Sequence, residues 1–387
     1  MSTEFYAVEK AGRILHAPKL KHTAAIFAGL FLLLAPSAHP ASAMTPVKDA
    51  APYADGRPTA AYRLEAKDQG VVLHHGGGPG DCDRLGAREA IVFADHGVYY
   101  LHYDGAGPKG WLACLATSSD LVHWEKHGPA LDFGPTGSPD SASASSPWVY
   151  HERRWWYMFY LGTPHVTPAP DFIPMFPYQT LMARSRSPTG PWEKLYANAP
   201  FMPQPGTYYS ATASPGCIVK SHGEFLMFFS ASTAGPDIKR TLGIARAKNL
   251  EGPWVVQADP ILPVTEQVEN SSLYYEPAIK SWFLFTNHIG INDARQEYTD
   301  AVWVYWSRDL NRWNPRDKAL VLDGRNCSWS ANCIGMPSVI KAGNRLALLY
   351  DAPGRDSISH MGRDIGLAWL DLPLTIPAEL PPALPKP

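Results

Sequence analysis

Short stretches in which apolar and polar residues alternate recur along this chain of 387 residues. The clearest begins at Arg88, where REAIVF is followed by a His-Gly turn, by VYYLHYDGAG and, after a loop, by WLACLATSSDLVHW ending at Trp124. Alternation with a period of two residues, rich in β-branched and aromatic side chains, is typical of half-buried β-strands. The stretch therefore predicts three short strands in sequence.

The same unit recurs four more times, beginning at SPWVYHE, SPGCIVK, ENSSLYY and GMPSVIK. Copies one to four each contain a tryptophan before their last strand, at Trp124, Trp192, Trp254 and Trp313. Each copy predicts four antiparallel strands, which is the composition of a propeller blade. We therefore predict an all-β fold, a five-bladed β-propeller with four-stranded antiparallel blades. An all-β sandwich with the same number of strands is the alternative.

The ends of the chain differ from the repeated part. The fifth copy ends after three strands, and Tyr62–His75 contains one further strand, so we expect this N-terminal strand to complete the last blade. The predicted boundaries are a signal peptide over residues 1–43, a loose linker over 44–61, the propeller over 62–377 and a Pro-rich tail over 378–387.

The signal-peptide prediction rests on three features of the N-terminus. Basic residues precede the apolar run TAAIFAGLFLLLA, and the small residues ASA end at residue 43. The run is shorter than the ~20 residues of a spanning helix. We therefore expect a secreted or periplasmic protein with no stable membrane association after cleavage; a retained membrane anchor is the alternative.

Charge and cysteine content narrow the function classes. The net charge of -2 gives no electrostatic reason to expect a nucleic-acid partner. Five cysteines in an exported chain permit a disulfide. Cys327 and Cys333 are close in sequence within a loop and form the predicted pair. The cysteine spacing matches no zinc pattern, and no metal site is predicted.

Propeller geometry turns the repeat alignment into a site prediction. Residues just before the first strand of a blade and just after its second strand face one axial funnel, in which acids, imidazoles and aromatic rings would meet. The residues predicted to line this funnel are Asp83, Arg88, Glu89, Asp104, Asp140, Trp148, His165, Tyr208, Glu269, His288 and Asp351.

This mixture of side chains suits glycoside hydrolysis. Cleaving the acetal needs a proton donor for the leaving oxygen and a second carboxylate on the other side, and burial or a neighbouring charge must keep the donor protonated. We predict Glu89, Glu269 and Asp140 as the catalytic acids and the other funnel residues as substrate-binding. Glu89 and Glu269 carry the most weight, because each precedes an apolar strand at a position that the alignment treats as equivalent.

The repeat pattern from Tyr62 to Leu372 resembles the five-bladed propeller glycoside hydrolases, a set that includes families 43, 32, 68, 62, 117 and 130, and is most similar to families 43 and 117. Arg88-Glu89-Ala90 resembles the Arg-Asp-Pro-like motif that carries the base there, with Glu in place of Asp. VENSSLYY resembles the motif that carries the acid. The resemblance thus implies Glu89 as base and Glu269 as acid, with Asp81 or Asp83 as alternative bases.

The resemblance has further implications. Asp140 would tune the donor and orient the substrate, and His288 would match the histidine that contributes to acid catalysis in family 117. Copy three has no carboxylate where several of these families carry one. No cofactor is required; a structural calcium is compatible with the resemblance, although no residue pattern here marks a calcium loop.

The predicted function is a secreted glycoside hydrolase that cleaves a poly- or oligosaccharide. One alternative is a non-catalytic propeller that binds glycans. Another is a glycosyl-transferring or phosphorolytic relative, in which Arg88 and Arg295 would supply the basic groups. The long Pro-rich loop from Pro164 to Pro177 either walls one side of the pocket or packs on the surface.

Overall fold

The computed structural model describes residues 42–47, 53–235 and 238–378. Within these ranges the chain forms β-strands joined by loops, with 3-10 turns at Pro79–Asp81, Tyr196–Asn198 and Val264–Glu266. The described residues include no helix that is long and apolar enough to cross a membrane. The prediction of an all-β fold is confirmed.

Three short strands precede the repeated part: β1 (Thr45–Pro46), β2 (Tyr62–Arg63) and β3 (Lys67–Leu73). The first group is β4 (Gly86–Asp95), β5 (Val98–Gly107), β6 (Gly110–Ser118) and β7 (Glu125–Pro129). The second group is β8 (Ser143–Glu152), β9 (Trp155–Thr163), β10 (Gln179–Ser185) and β11 (Glu193–Lys194). The third group is β12 (Thr212–Ser221), β13 (Glu224–Ser232), β14 (Arg240–Ala247) and β15 (Val255–Val256).

The fourth group is β16 (Val268–Glu276), β17 (Ser281–Ile291), β18 (Glu297–Ser307) and β19 (Lys318–Leu322), extended by β2 and β1. The fifth is β20 (Gly335–Ala342), β21 (Arg345–Ala352) and β22 (Asp364–Asp371). Strand β3 pairs antiparallel with β22 and supplies the fourth strand of this group. The prediction that the Tyr62–His75 segment completes the last group is therefore confirmed.

Neighbouring groups are joined by hydrogen bonds as well as by apolar packing. Groups one and two share a short parallel ladder between β6 and β8. The other junctions are bridged by Thr180 Oγ1 donating to the Ala213 carbonyl (2.6 Å), Cys217 N–H to Ser271 Oγ (3.0 Å), Val339 N–H to Ser272 Oγ (3.0 Å) and Val92 N–H to Ser338 Oγ (3.1 Å). Each pair of successive groups is thus linked, and the fifth is linked back to the first.

The first strand of every group carries a β-bulge at the same place. The antiparallel register skips two residues after Arg88, Ser145, Ser214, Glu269 and Gly335. In four groups the first skipped residue adopts a left-handed backbone, which ordinary side chains rarely do. These residues are Glu89 (φ 46°), Ser146 (φ 47°), Asn270 (φ 59°) and Met336 (φ 55°). The third group has Pro215 at this place, and the proline ring fixes a negative φ there.

The predicted linker is not loose where the structure describes it. Arg57 is 4% exposed and forms an ion pair with Asp300 at 2.8 Å. The same guanidinium lies 3.1 Å from Nδ1 of His288 and stacks on the ring of Tyr53. Residues 53–61 therefore pack against the fourth group. The predicted signal peptide lies outside the described residues except for positions 42 and 43, and the predicted tail does so except for position 378.

The predicted disulfide between Cys327 and Cys333 is wrong. The structure joins Cys82, which precedes β4, to Cys114 on β6, 32 residues further along the chain. Cys327 and Cys333 are both free, and the sulfur of Cys327 lies 3.5 Å from the hydroxyl of Tyr350 whereas Cys333 is fully buried. Proximity in sequence was a poor guide, because antiparallel pairing brings distant cysteines together.

Candidate active site

A pocket of about 220 Å³ opens where the first strands begin. Charged side chains from three of the five groups line it: Arg88, Glu89, Asp104, Arg240, Glu269 and Glu297. Of the eleven residues predicted for the funnel, Arg88, Glu89, Asp104 and Glu269 lie on this lining. The two glutamates predicted as the main catalytic acids therefore share one cavity.

Glu89 is held in place by its backbone. Its left-handed conformation directs the side chain out of the β4 ladder, and its N–H donates to Asp351 Oδ2 at 2.7 Å. Asp351 is fully buried and ion-paired with the buried guanidinium of Arg363. Asp351 thus lies beneath the pocket lining and fixes the position of Glu89. It was predicted to bind substrate, and the structure places it one layer further inside.

Burial controls the protonation of two carboxyl groups in the pocket. It raises the pKa of Glu89 to about 7; Arg88 and a hydrogen bond from Ser146 oppose the rise, while Glu269 adds to it. Burial also raises the pKa of Asp104 well above its usual range, with the charge of Glu89 adding to the rise. Two adjacent acids of this kind hold protons near neutral pH.

Glu269 has the opposite environment. Its Oε1 accepts a hydrogen bond from Arg240 at 2.6 Å, and the same guanidinium binds Glu297 at 2.6 Å. Burial by itself lowers the pKa of Arg240, but the two carboxylates outweigh it and raise that pKa overall. Arg240 is therefore a permanent cation shared between Glu269 and Glu297.

Glu89 and Glu269 do not occupy equivalent repeat positions, contrary to the alignment. Glu89 is the first residue skipped by the bulge in β4, whereas Glu269 is the residue before the bulge in β16. Glu269 is thus equivalent to Arg88, and Asn270 is equivalent to Glu89. The two acids approach the pocket from different backbone positions.

Asp83 and Asp140 lie outside the pocket lining, in buried ion pairs. Asp140 is fully buried; it binds Lys194 at 2.6 Å and accepts a hydrogen bond from Tyr160 at 3.0 Å. Asp83 is held in the same way by Lys126 and Tyr103. The fourth group repeats this contact with Glu266, Lys318 and Tyr305. A carboxylate before the first strand and a lysine on the fourth strand thus tie a group together.

The remaining predicted binding residues do not line the pocket. Trp148 and Tyr208 are buried in the apolar core between groups two and three. His288 is fully buried against Trp303 and Arg57, and burial lowers its pKa well below the usual range. His165 is exposed at the start of the loop after β9. Three of these four side chains are thus buried within the protein, and the fourth is exposed outside the pocket.

Five pocket residues missed by the sequence analysis share one position in the repeat. Each lies at or shortly before the third strand of its group, on the same face as the starts of the first strands. The residues are Trp111, Tyr178, Arg240, Glu297 and His360. The prediction considered the starts of first strands and the ends of second strands, and it left the starts of third strands out.

The imidazole that reaches the pocket is His360 rather than His288. Burial, aided by the nearby guanidinium groups of Arg88 and Arg363, lowers its pKa to about 3. Its Nδ1 is buried without a hydrogen-bond partner among the described residues. His360 is therefore a neutral ring near neutral pH, and it is the imidazole that borders the pocket.

The Pro-rich loop from Pro164 to Pro177 walls one side of the pocket. Ile173, Pro174 and Phe176 form part of the lining. The loop is fixed to the first group because the indole N–H of Trp111 donates to the carbonyl of Asp171 at 3.0 Å. Of the two interpretations of this loop, the structure supports the pocket wall.

The described residues contain no group of three or more His, Cys, Asp or Glu side chains arranged to hold a metal ion. Two of the pocket carboxylates, Glu269 and Glu297, are instead paired with Arg240. A structural calcium, which is only compatible with the family resemblance, is not tested by the structure.

These features define a class of fold: four-stranded antiparallel sheets of the propeller-like type found in glycoside hydrolases. No family model and no curated protein matches the sequence. The fold is similar to a family 117 glycoside hydrolase of the marine bacterium Zobellia galactanivorans, with a TM-score of 0.58 and 15% identity over 81% of this chain and 93% of that chain.

Two further solved structures have the same fold. A thermostable family 43 glycoside hydrolase gives a TM-score of 0.54 and 15% identity, covering 80% of this chain and 99% of that chain. The α-L-arabinanase of Cellvibrio cellulosa in complex with arabinohexaose gives a TM-score of 0.52 and 14% identity, covering 73% and 90%. The predicted resemblance to families 43 and 117 is confirmed for the fold.

Proposed function

We propose that this protein is an exported glycoside hydrolase that cleaves O-glycosidic bonds in an oligo- or polysaccharide. The observation that carries the proposal is the presence of Glu89 and Glu269 in one pocket, in two opposite electrostatic environments. Similar folds belong to glycoside hydrolases, and one of those structures holds arabinohexaose. Together they favour a carbohydrate as the substrate.

We assign the proton donor to Glu89, the reverse of the roles implied by the family resemblance. Its pKa of about 7 leaves a proton available near neutral pH. Glu269, in its ion pair with Arg240, is the carboxylate that faces the developing positive charge at the anomeric carbon. Glu89 protonates the leaving oxygen as the C–O bond breaks. Water then adds its hydroxyl to the anomeric carbon to form the new reducing end, and the proton that this water gives up passes to the carboxylate pair, which restores the acid form of Glu89.

Asp104 and Asp351 support the donor. Asp104 is adjacent in the pocket, and its charge would raise the pKa of Glu89 further if it ionised. Asp351 positions the backbone of Glu89. Asp140, by contrast, is a structural residue in this proposal, because its carboxylate is fully occupied by Lys194, Tyr160 and Ser138.

The architecture proposed for this function is a closed five-bladed propeller. Its support is the chain of hydrogen bonds that links each group of strands to the next and the fifth to the first. In such a ring the starts of the first and third strands of all blades meet around one axis, which accounts for a pocket lined by residues from Arg88 to His360.

The test begins with the purified chain from Met44 onward, screened on aryl glycosides and on plant, algal and microbial polysaccharides. Glu89→Gln and Glu269→Gln should each lower kcat on natural substrates by about 10²–10⁴-fold, the usual contribution of acid–base groups. Product detection by NMR gives the bond cleaved. Failure to cleave anything in a broad panel, with well-folded protein, would favour the non-catalytic glycan-binding alternative.

A leaving-group comparison separates the two roles. A dinitrophenyl leaving group departs without protonation, so Glu89→Gln should retain most activity on a dinitrophenyl glycoside, while Glu269→Gln should lose it on all substrates. Glu125→Gln is the matched control, because Glu125 is an exposed glutamate on β7. Equal activity of both pocket variants and wild type would refute the assignment.

Export is tested separately. The chain should be processed after Ala43, so that N-terminal sequencing of protein recovered from the periplasm or the medium reads Met-Thr-Pro. Recovery only as an unprocessed, membrane-bound form would favour the retained anchor.

A further inference from the structure

We propose that the pocket selects a sugar that carries a carboxylate, a uronic-acid-type residue, and that Arg88 binds this carboxylate. The inference rests on the proposed function only in taking the pocket to be a sugar site. The two arginines in the pocket have unequal surroundings.

Arg88 is a buried cation with little to neutralise it. Its side chain is 6% exposed, and its Nε has no hydrogen-bond partner among the described residues. Its ion-pair contact with Glu89 spans 4.0 Å, which is longer than a hydrogen bond. A buried guanidinium left in this state is costly, because burial of a charge is offset only by pairing and hydrogen bonding.

Arg240 provides an internal comparison. It is buried to a similar extent but donates to Glu269 and to Glu297, both at 2.6 Å. The positive charge of Arg240 is therefore neutralised within the protein by these two carboxylates. Of the two guanidinium groups in the described pocket lining, Arg88 is the one available to an incoming anion.

The acids near Arg88 compensate its charge poorly near neutral pH. The pKa of Glu89 is raised to about 7 and that of Asp104 well above its usual range, in both cases mainly by burial. His360 is neutral because its pKa is lowered to about 3. The side of the pocket around Arg88 is thus positively charged, while the side around Glu269 and Glu297 carries the negative charge.

The geometry favours a planar carboxylate. The guanidinium carbon of Arg88 lies 4.8 Å from the centre of the Trp111 ring, and that ring is held by its hydrogen bond to the loop carbonyl of Asp171. Stacking on a fixed ring orients the guanidinium, whose donor fork matches a carboxylate with two parallel hydrogen bonds.

The pocket is also the right size for one such residue. Its 220 Å³ is below the ~300–1,000 Å³ of sites for drug-sized ligands and suits about one sugar ring. The wall of Ile173, Pro174 and Phe176 closes one side with apolar groups. A single uronic acid can therefore place its carboxylate at Arg88 while its anomeric carbon faces the two glutamates.

Binding measurements on the wild-type chain test the proposal directly. By titration calorimetry near pH 7, D-glucuronate or D-galacturonate should bind at least about tenfold more tightly than D-glucose and D-galactose. Arg88→Gln should remove this preference, and Arg88→Lys should retain only part of it because an ammonium lacks the planar fork. Arg312→Gln, at a guanidinium that is 90% exposed, is the control and should bind like wild type.

Inorganic phosphate and sulfate are titrated in parallel, because both also bind arginine. Equal affinity for acidic and neutral sugars, or binding of phosphate but not of uronates, would overturn the proposal. If Arg88→Gln fails to fold, the preference of the wild-type protein decides. Cleavage of neutral glycosides without any uronate preference would refute this inference but support the proposed hydrolase function. Uronate binding without turnover would support this inference but refute the proposed hydrolase function.

Discussion

Replacing Glu89 by glutamine should alter how the stability of the protein depends on pH. In the folded protein the pKa of this carboxyl is about 7, against its usual value of 4.5. Because the folded state binds the proton more tightly, the stabilisation is fully present below pH 4.5 and is lost as the pH rises through 7. Glutamine keeps the shape of the protonated acid and has no such titration.

The size of the effect follows from the two pKa values. Their separation of about 2.5 pH units, at about 1.4 kcal/mol per unit, corresponds to about 3 kcal/mol of unfolding free energy. The side chain of Glu89 is only 15% exposed, so solvent screening reduces this figure little. The difference in unfolding free energy between wild type and Glu89→Gln should thus fall by about 3 kcal/mol from about pH 4 to pH 8.

Urea denaturation at a series of pH values measures this difference. Glu125→Gln, which replaces an exposed carboxyl group, should show the same dependence of unfolding free energy on pH as wild type. Asp104 titrates in contact with Glu89, so Asp104→Asn and the double variant complete a cycle that separates the two groups. Parallel curves for wild type and Glu89→Gln would show that burial does not raise this pKa, and the assignment of Glu89 as proton donor would fail with it.

Two further predictions concern residues away from the pocket. Asp140→Asn should destabilise the protein by about 3–5 kcal/mol in urea unfolding, since it leaves the buried charge of Lys194 unpaired. The kcat per folded molecule should nevertheless change less than twofold. A large loss of kcat in a stable variant would show that Asp140 is a catalytic residue. Replacing Cys82 and Cys114 by alanine should lower the free energy of unfolding by about 2–4 kcal/mol in thermal or urea unfolding. Alkylation followed by mass spectrometry should find Cys327 and Cys333 as free thiols, and detection of a bridge between those two would contradict the structure.

The strands and their grouping were predictable because each half-buried strand leaves a period-two pattern, and the repeat multiplies that signal. Arg88, Glu89, Asp104 and Glu269 were found by the same route, since the start of a first strand and the end of a second strand lie at the same end of the sheet. Sequence could not fix their register within one residue. Glu89 lies within the bulge of its strand, whereas Glu269 lies just before the bulge of its own strand. A bulge changes the direction in which the following side chains point, and no particular residue type marks it in the sequence.

Asp83 and Asp140 were predicted for the funnel but lie in buried ion pairs with lysines. The sequence pattern around an aspartate before a first strand is the same whether its side chain lines the pocket or pairs with a buried lysine. The distinguishing signal was present as Trp-Glu-Lys at Trp124–Lys126 and again at Trp192–Lys194, where the lysine that pairs with the acid follows the repeated tryptophan. Arg240 and Glu297 were missed because the starts of the third strands were not considered.

The recurring bulge gives this fold an unusual freedom. A left-handed backbone site heads the first strand in four of the five groups, and glutamate, serine, asparagine and methionine occupy it at Glu89, Ser146, Asn270 and Met336. The backbone already has the left-handed conformation at each of these sites, so a different side chain there does not require a change in the strand pairing. Under the proposed function, an acid could therefore be placed at a second point of the pocket lining by one substitution at the equivalent site of the second group, Ser146→Glu.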